Sequence, residues 1–237
     1  MNIECITFDL DDTLWPVLPV IQRAEARFYA WLREHQPQVC QHFTQEALIA
    51  HRMAYFRAIP EAERYDFTRL RRRWLRSIAA LTGACPDTLS GPGFQVFWLA
   101  RNEVEPDPEA LGVLRSLRAH FKLGAVSNGN ADVFRTPLGA YFDFSMPAAE
   151  AGAAKPDRKI FMAAAERAGV APQAMLHIGD DALCDVVGAR RAGLQAVWFN
   201  PKGLAWEHAP VQPDWSIRRL GQIPIQLGLV TPTELRR

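Results

Sequence analysis

Four stretches of the chain are largely apolar and stop abruptly at polar residues. Residues 3–8 run into Asp9-Leu10-Asp11-Asp12-Thr13, and residues 123–126 run into Ser127-Asn128-Gly129-Asn130. Residues 175–178 run into Gly179-Asp180-Asp181, and residues 196–199 into Asn200-Pro201. A strand buried on both faces reads as such a run, and in a parallel sheet its C-terminal end is where a polar site opens. Helical patterns lie between these runs. Residues 107–120 carry leucines at 111, 114 and 117 behind acidic residues suited to a helix start, 159–168 is alanine-rich, and 185–192 follows the third run. This alternation predicts an α/β fold, a Rossmann-like parallel sheet with helices on both faces.

Residues 15–105 break the alternation. They show helical patterns over 20–34, 44–58 and 66–82 and no clear strand. The segment 83–93, with two prolines and three glycines, reads as a turn or loop. The pattern therefore predicts a helical cap over 15–105, inserted after the first strand as a lid on its end, and a core made of 1–14 and 106–237. The polar tail 231–237 is expected to be disordered. No internal repeat or low-complexity tract is present.

The 237 residues are 49% hydrophobic and 22% charged, a globular composition, and the formal net charge of +1 gives no general pull towards nucleic acid or acidic membranes. The start, MNIECITFDL, lacks the pattern of a secretory signal, and no run reaches membrane-spanning length, so a cytoplasmic location is expected. None of the four cysteines forms a C-x-x-C pair, which argues against a zinc or redox motif and for reduced, structural thiols. Cys184 is read as packing.

Asp9, Asp11 and Asp12 crowd three carboxylates into four residues. Such groups repel, burial costs each of them, and a hard divalent cation offsets both effects. In an extended turn Asp9 and Asp11 can point to the same side. A calcium loop of the EF-hand kind fails, because its glycine position holds Leu14 and its final glutamate position holds Val20. An N-cap on the following helix fits Asp12 but leaves Asp9 unexplained. Asp180, Asp181 and Asp185 form a second acidic group, which alone also suits a capped helix; together the two groups can share one Mg²⁺. Ser127 and the backbone N–H groups after it can take a phosphate oxygen or simply form a solvated turn. Lys155 precedes Pro156, which suits a first helical turn and would set the lysine at a positive helix end; it can equally be an ordinary surface lysine.

In order, the segments FDLDDT, VSNGN, AAKPD and HIGDDALCDVVGA resemble the four motifs of the haloacid dehalogenase-like (HAD) superfamily, over nearly the whole chain. The resemblance implies a Mg²⁺-dependent phosphatase with a helical cap of the family's first type. It implies Asp9 as nucleophile, forming an aspartyl phosphate, and Asp11 as acid and then base. Mg²⁺ would be held by the Asp9 and Asp180 carboxylates and the Asp11 backbone carbonyl, with Asp185 in support. Thr13, Ser127, Asn128 and Lys155 would position Asp9 and the phosphoryl oxygens. Dehalogenases of the superfamily lack the second acid of the first motif, so Asp11 favours phosphoryl chemistry. The motifs also fit a phosphomutase, and a non-catalytic phosphate-binding module is a further alternative.

FDLDDTLW, VSNGNAD, HIGDDALCDVVGARRAGLQAVW and YDFTRLRRRWL look like the bacterial branch acting on flavin mononucleotide and 5-amino-6-(5-phospho-D-ribitylamino)uracil. Related branches prefer phosphoglycolate, nucleotides or sugar phosphates. A small-molecule phosphate ester is thus the expected partner, with no nucleic acid or membrane; the sequence leaves the oligomeric state open. Within 51–80, eight arginines stand against three acids. They read as a solvated face, or as a source of one or two arginines, such as Arg69 or Arg73, for an anionic substrate. Trp15 reads as a stacking platform for substrate or as a core wedge.

Overall fold

The computed structural model describes residues 2–229, so the expectation for 231–237 lies outside the described residues. Two compact units divide the chain. One comprises 17–104 with 130–132, the other 1–16, 105–129 and 133–237.

The first unit is helical: α1 (Val17–His35), α2 (Pro37–His42), α3 (Gln45–Ala58), α4 (Phe67–Thr82), the single turn α5 (Pro86–Thr88) and α6 (Phe94–Arg101). Thr44 and Asp66 cap α3 and α4, each side chain accepting from the backbone N–H three residues on. Phe28, Leu32, Trp74, Leu75, Ile78 and Phe97 fill its core. The expected loop over 83–93 is instead mostly helical. Pro86 starts α5, and a wide π-type turn over Leu89–Gly93 leads directly into α6. Gly93 serves close packing there, since a Cβ on it would sit 2.8 Å from Trp31 and 3.2 Å from Phe28. Residues 130–132 join this unit by hydrogen bonds: Trp98 Nε1 donates to the Asn130 carbonyl, and the Asp132 N–H donates to Asn102 Oδ1.

The second unit holds six parallel strands: β1 (Cys5–Phe8), β2 (Lys122–Ser127), β3 (Phe144–Pro147), β4 (Met175–Gly179), β5 (Gln195–Phe199) and β6 (Trp215–Ile217). Their order is β3-β2-β1-β4-β5-β6. The α/β fold with a parallel sheet agrees with the sequence pattern. The runs that announced β1, β2, β4 and β5 are buried almost throughout. β3 and β6 carried no such signal. They are the two edge strands, and β3 alternates buried and half-buried positions while β6 has three residues. The helices here are α7 (Ala110–Arg118), α8 (Ala148–Ala151), α9 (Arg158–Ala168), α10 (Gly188–Ala192) and α11 (Gln222–Gln226). The chain leaves β1 to build one side of the sheet as β2 and β3, then returns to the other side of β1 as β4. Such a reversal of strand order opens a crevice at the carboxyl ends of the central strands. Asp9 follows β1 there, its N–H still donating to Ile178 of β4.

One local expectation is corrected. Pro156 is not in a helix: α9 begins at Arg158 with Asp157 as its cap, and the Lys155–Pro156 peptide is cis. Asp12 occupies the left-handed region at φ 59°, where its N–H donates to the Trp15 carbonyl and closes the turn.

Candidate active site

Side chains alternate along a strand, so Thr7 and Asp9 share one face of the sheet, as do His177 and Gly179 of β4. The register sets Thr7 directly beside His177. Asp185 and Lys155 reach that face from the segments after β4 and before α9. The buried Lys155 ammonium bonds Asp9 Oδ1 at 2.5 Å, Asp185 Oδ1 at 2.6 Å and the Val126 carbonyl at 2.8 Å. Its place is fixed by Asn128, whose side chain donates to the Lys155 carbonyl and accepts from the Lys155 N–H. The Asn128 side chain is thus spent on holding the lysine. Ser127 is buried at the end of β2, its Oγ accepting from the Gly129 N–H.

Asp180 is held from two directions. Thr13 Oγ1 donates to its carboxylate and accepts from its backbone N–H, both at 3.1 Å, and Trp198 Nε1 donates to its carbonyl at 2.9 Å. Asp181 is the helix cap among the second acidic group, accepting from the Leu183 and Cys184 N–H groups. Asp185 points back from the wide turn over Ala182–Val187, its Oδ2 accepting from the Asp181 N–H. Gly179 makes room for it, because a Cβ there would overlap Asp185 Cγ and Oδ2. Gly179→Ala is expected to cost about 1–3 kcal/mol in urea denaturation and to lower turnover by displacing Asp185; unchanged stability and activity would show that Asp185 has slack.

Carboxylate oxygens of Asp9, Asp180 and Asp185 lie within 4.8 Å of one another. Burial pushes the Asp9 carboxyl well above its usual range; Lys155 pulls the other way, while Asp185 and Asp11 add to the rise. Burial, then Asp185, raises the Asp180 carboxyl to about 6. Burial would raise Asp185 too, but Lys155 and His177 outweigh it and hold that carboxyl well below the ordinary value. Lys155 stays charged, since Asp185 and Asp9 overcome the effect of its burial. Three acids packed this tightly, two of them with raised pKa, fit a hard divalent cation with oxygen ligands.

Asp11 stands apart from this cluster. Trp15 Nε1 donates to Asp11 Oδ1 at 2.9 Å. Trp15 is 1% exposed, so it is a core residue that orients Asp11 rather than a stacking platform. Burial, with Asp181 and Asp185, pushes the Cys184 thiol up to about 12, which leaves it inert at neutral pH.

Residues 3–193 match the family described as haloacid dehalogenase-like hydrolase. The chain belongs to that family. It is similar to the 5-amino-6-(5-phospho-D-ribitylamino)uracil phosphatase YigB of Escherichia coli (strain K12), 32% identical over 94% of this chain and 92% of the relative. It is also similar to the phosphoserine phosphatase of Thermus thermophilus, 29% identical over 93% and 98% of the two chains. Among solved structures, a 2-haloacid dehalogenase from Pseudomonas syringae pv. Tomato DC3000 superposes with a TM-score of 0.86, at 38% identity over 95% of this chain and 98% of that one.

The sequence pattern named Asp9, Thr13, Lys155, Asp180 and Asp185, which the fold brings together in the hydrogen bonds above. It did not single out Thr7, His177 or Trp198. The first two carried a signal, as polar residues within largely apolar runs. In the helical unit the arginines also sort by position. Arg69 and Arg73 are exposed, whereas Arg71 is buried against Glu25 at 2.5 Å with its guanidinium 3.3 Å from the Phe97 ring centroid. Within the described residues no helix is long and apolar enough to cross a membrane.

Proposed function

We propose that this chain hydrolyses small-molecule phosphomonoesters, with Asp9 as nucleophile, Asp11 as general acid and base, and Mg²⁺ as cofactor. The observation that carries the reading is the convergence of the Asp9, Asp180 and Asp185 carboxylates around the Lys155 ammonium at the ends of the central strands. A carboxylate oxygen of Asp9 attacks phosphorus, and the bond from phosphorus to the ester oxygen breaks. Asp11, oriented by Trp15, gives its proton to the departing alkoxide. The Asp11 carboxylate then takes a proton from water as that water attacks the phosphorus of the aspartyl phosphate, which releases phosphate and restores Asp9. Lys155 holds Asp9 in place and offsets its negative charge. Asp9, Asp180 and Asp185, with the Asp11 carbonyl, would hold a divalent cation, which would supply positive charge to offset that of the phosphoryl group. Thr13 and Trp198 set Asp180 for this role, and Ser127 and the Asn128 N–H are offered to the phosphoryl group.

Residues 1–14 with 106–237 are the catalytic core in this reading, and residues 15–105 are the family's helical cap. The leading substrate is 5-amino-6-(5-phospho-D-ribitylamino)uracil or flavin mononucleotide. The full-length likeness to the E. coli phosphatase supports it. Phosphate release from these two, phosphoserine, pyrimidine nucleotides, phosphoglycolate and sugar phosphates tests the choice. The expected result is the highest kcat/KM on a riboflavin-pathway ester; a higher value for any other ester removes that assignment while leaving the chemistry intact.

A dehalogenase is the second reading, favoured by the likeness to the P. syringae protein. The chemistry weighs against it. A halide leaves as a stable anion and needs no proton donor, so Asp11 would be idle, and the acid cluster would serve nothing. An alkoxide leaving group needs the first, and a phosphoryl group with its cation needs the second.

A further inference from the structure

His177 is fully buried in the middle of β4, and no step of the proposed reaction uses it. An imidazole inside an apolar strand is costly unless both ring nitrogens are satisfied. Here both are. Nδ1 lies 2.9 Å from Thr7 Oγ1, on the neighbouring strand at the paired register position, and Nε2 lies 3.1 Å from Asp185 Oδ1. An ionised carboxylate only accepts, so Nε2 carries the proton and donates it to Asp185. The Phe161 ring meets the imidazole edge to face at 5.2 Å and limits its tilt.

Asp185 Oδ1 therefore receives two donors, His177 Nε2 and Lys155 Nζ, while Oδ2 receives only the Asp181 N–H. Lys155 is in turn bonded to Asp9. A continuous buried chain runs Thr7, His177, Asp185, Lys155, Asp9. Its far end is anchored in the sheet and its near end is the proposed nucleophile.

We infer that His177, braced by Thr7, is a positioning residue that fixes the rotamer of Asp185 and through it the setting of Lys155 and the cation site. This rests on the reading of the site given above. Without His177 the Asp185 carboxylate would keep two contacts, Lys155 Nζ on Oδ1 and the Asp181 N–H on Oδ2, both from segments outside the strands. A second donor on the same oxygen, from a ring locked in the sheet, fixes the rotamer in which Asp185 converges with Asp9 and Asp180. Outer partners of this kind typically change metal affinity or activity by roughly 10–100-fold when removed.

The test compares wild type with His177→Leu, which removes the donor, His177→Gln, which keeps an N–H near the position of Nε2, and Thr7→Val, which removes the brace at nearly constant shape. Three quantities are read: the Mg²⁺ dissociation constant by titration calorimetry, kcat and KM for the best phosphate ester, and Tm without metal. The inference expects His177→Leu to weaken Mg²⁺ binding and lower kcat by roughly 10–100-fold with little change in KM, His177→Gln to recover most of both, and Thr7→Val to fall between. A folded His177→Leu protein that binds Mg²⁺ like wild type overturns it, as does equal impairment of the Gln and Leu variants, which would show a packing role. A folded wild type that neither binds Mg²⁺ nor turns over any phosphate ester removes the functional reading and this inference with it. A wild type that does both beside an unimpaired Leu variant removes the inference alone.

Discussion

Asp9→Asn is expected to lower phosphate release by roughly three orders of magnitude or more, with the protein still folded. The amide keeps the shape of the side chain but is no nucleophile, and nothing in the cluster can substitute. Asp180 is tied to Thr13, and Asp185 is held in place by Lys155, His177 and the Asp181 N–H. The same change has a predicted sign in stability. Burial raises the Asp9 carboxyl, so at neutral pH the folded state carries an ionised group that it disfavours relative to the unfolded chain. A neutral amide lacks that cost, at the loss of the bond to Lys155. The metal-free variant is therefore expected to melt at the wild-type temperature or above it, while gaining less from added Mg²⁺. Circular dichroism melts with and without Mg²⁺ check this; a variant that is inactive because it is unfolded would not support the assignment.

Lys155→Met is expected to have the largest effect on stability. The ammonium is 2% exposed and bonds two carboxylates and a carbonyl at once. Methionine fills similar space but leaves Asp9 and Asp185 buried without their shared counter-charge. Removing one partner of a buried ion pair costs about 3–5 kcal/mol, and urea denaturation of the metal-free proteins should show a loss of that order. Added Mg²⁺ should return part of it, because a cation bound to the folded state restores positive charge between the acids. Turnover should stay lost, since Asp9 is no longer held. An unchanged urea midpoint would mean that the two carboxyls are protonated in the fold, against the direction given by Lys155 and His177 for Asp185.

The sequence made the site legible where one physical cause produced one pattern. β1, β2, β4 and β5 are buried almost throughout and so read as apolar runs, and Asp9 and Asp180, at the ends of β1 and β4, converge with Asp185, whereas Asn200 at the end of β5 bonds Leu204 instead. Thr44 and Asp66 marked their helix starts because a capping side chain is a local device. What escaped was non-local or short. β3 and β6 are short edge strands of four and three residues with positions left half-buried or exposed, so they lack the apolar runs that mark the central strands. The prolines and glycines over 83–93 read as a loop, yet Pro86 starts a helix and Gly93 allows a close approach to Trp31. Arg71 was hidden among exposed arginines, although buried Leu70, Trp74, Leu75, Ile78 and Ala79 set a stripe that includes it. The pairing of Thr7 with His177 depends on strand register, which only the folded sheet supplies.

Phosphate and halide release, measured side by side, test the central claim most directly. Wild type would be given the phosphate-ester panel and 2-haloacids, each with Mg²⁺ and with EDTA. The expected result is phosphate release that needs Mg²⁺ and no halide release in either condition. Halide release that persists in EDTA, with phosphate esters untouched, would contradict the account and place the chain with its dehalogenase relatives.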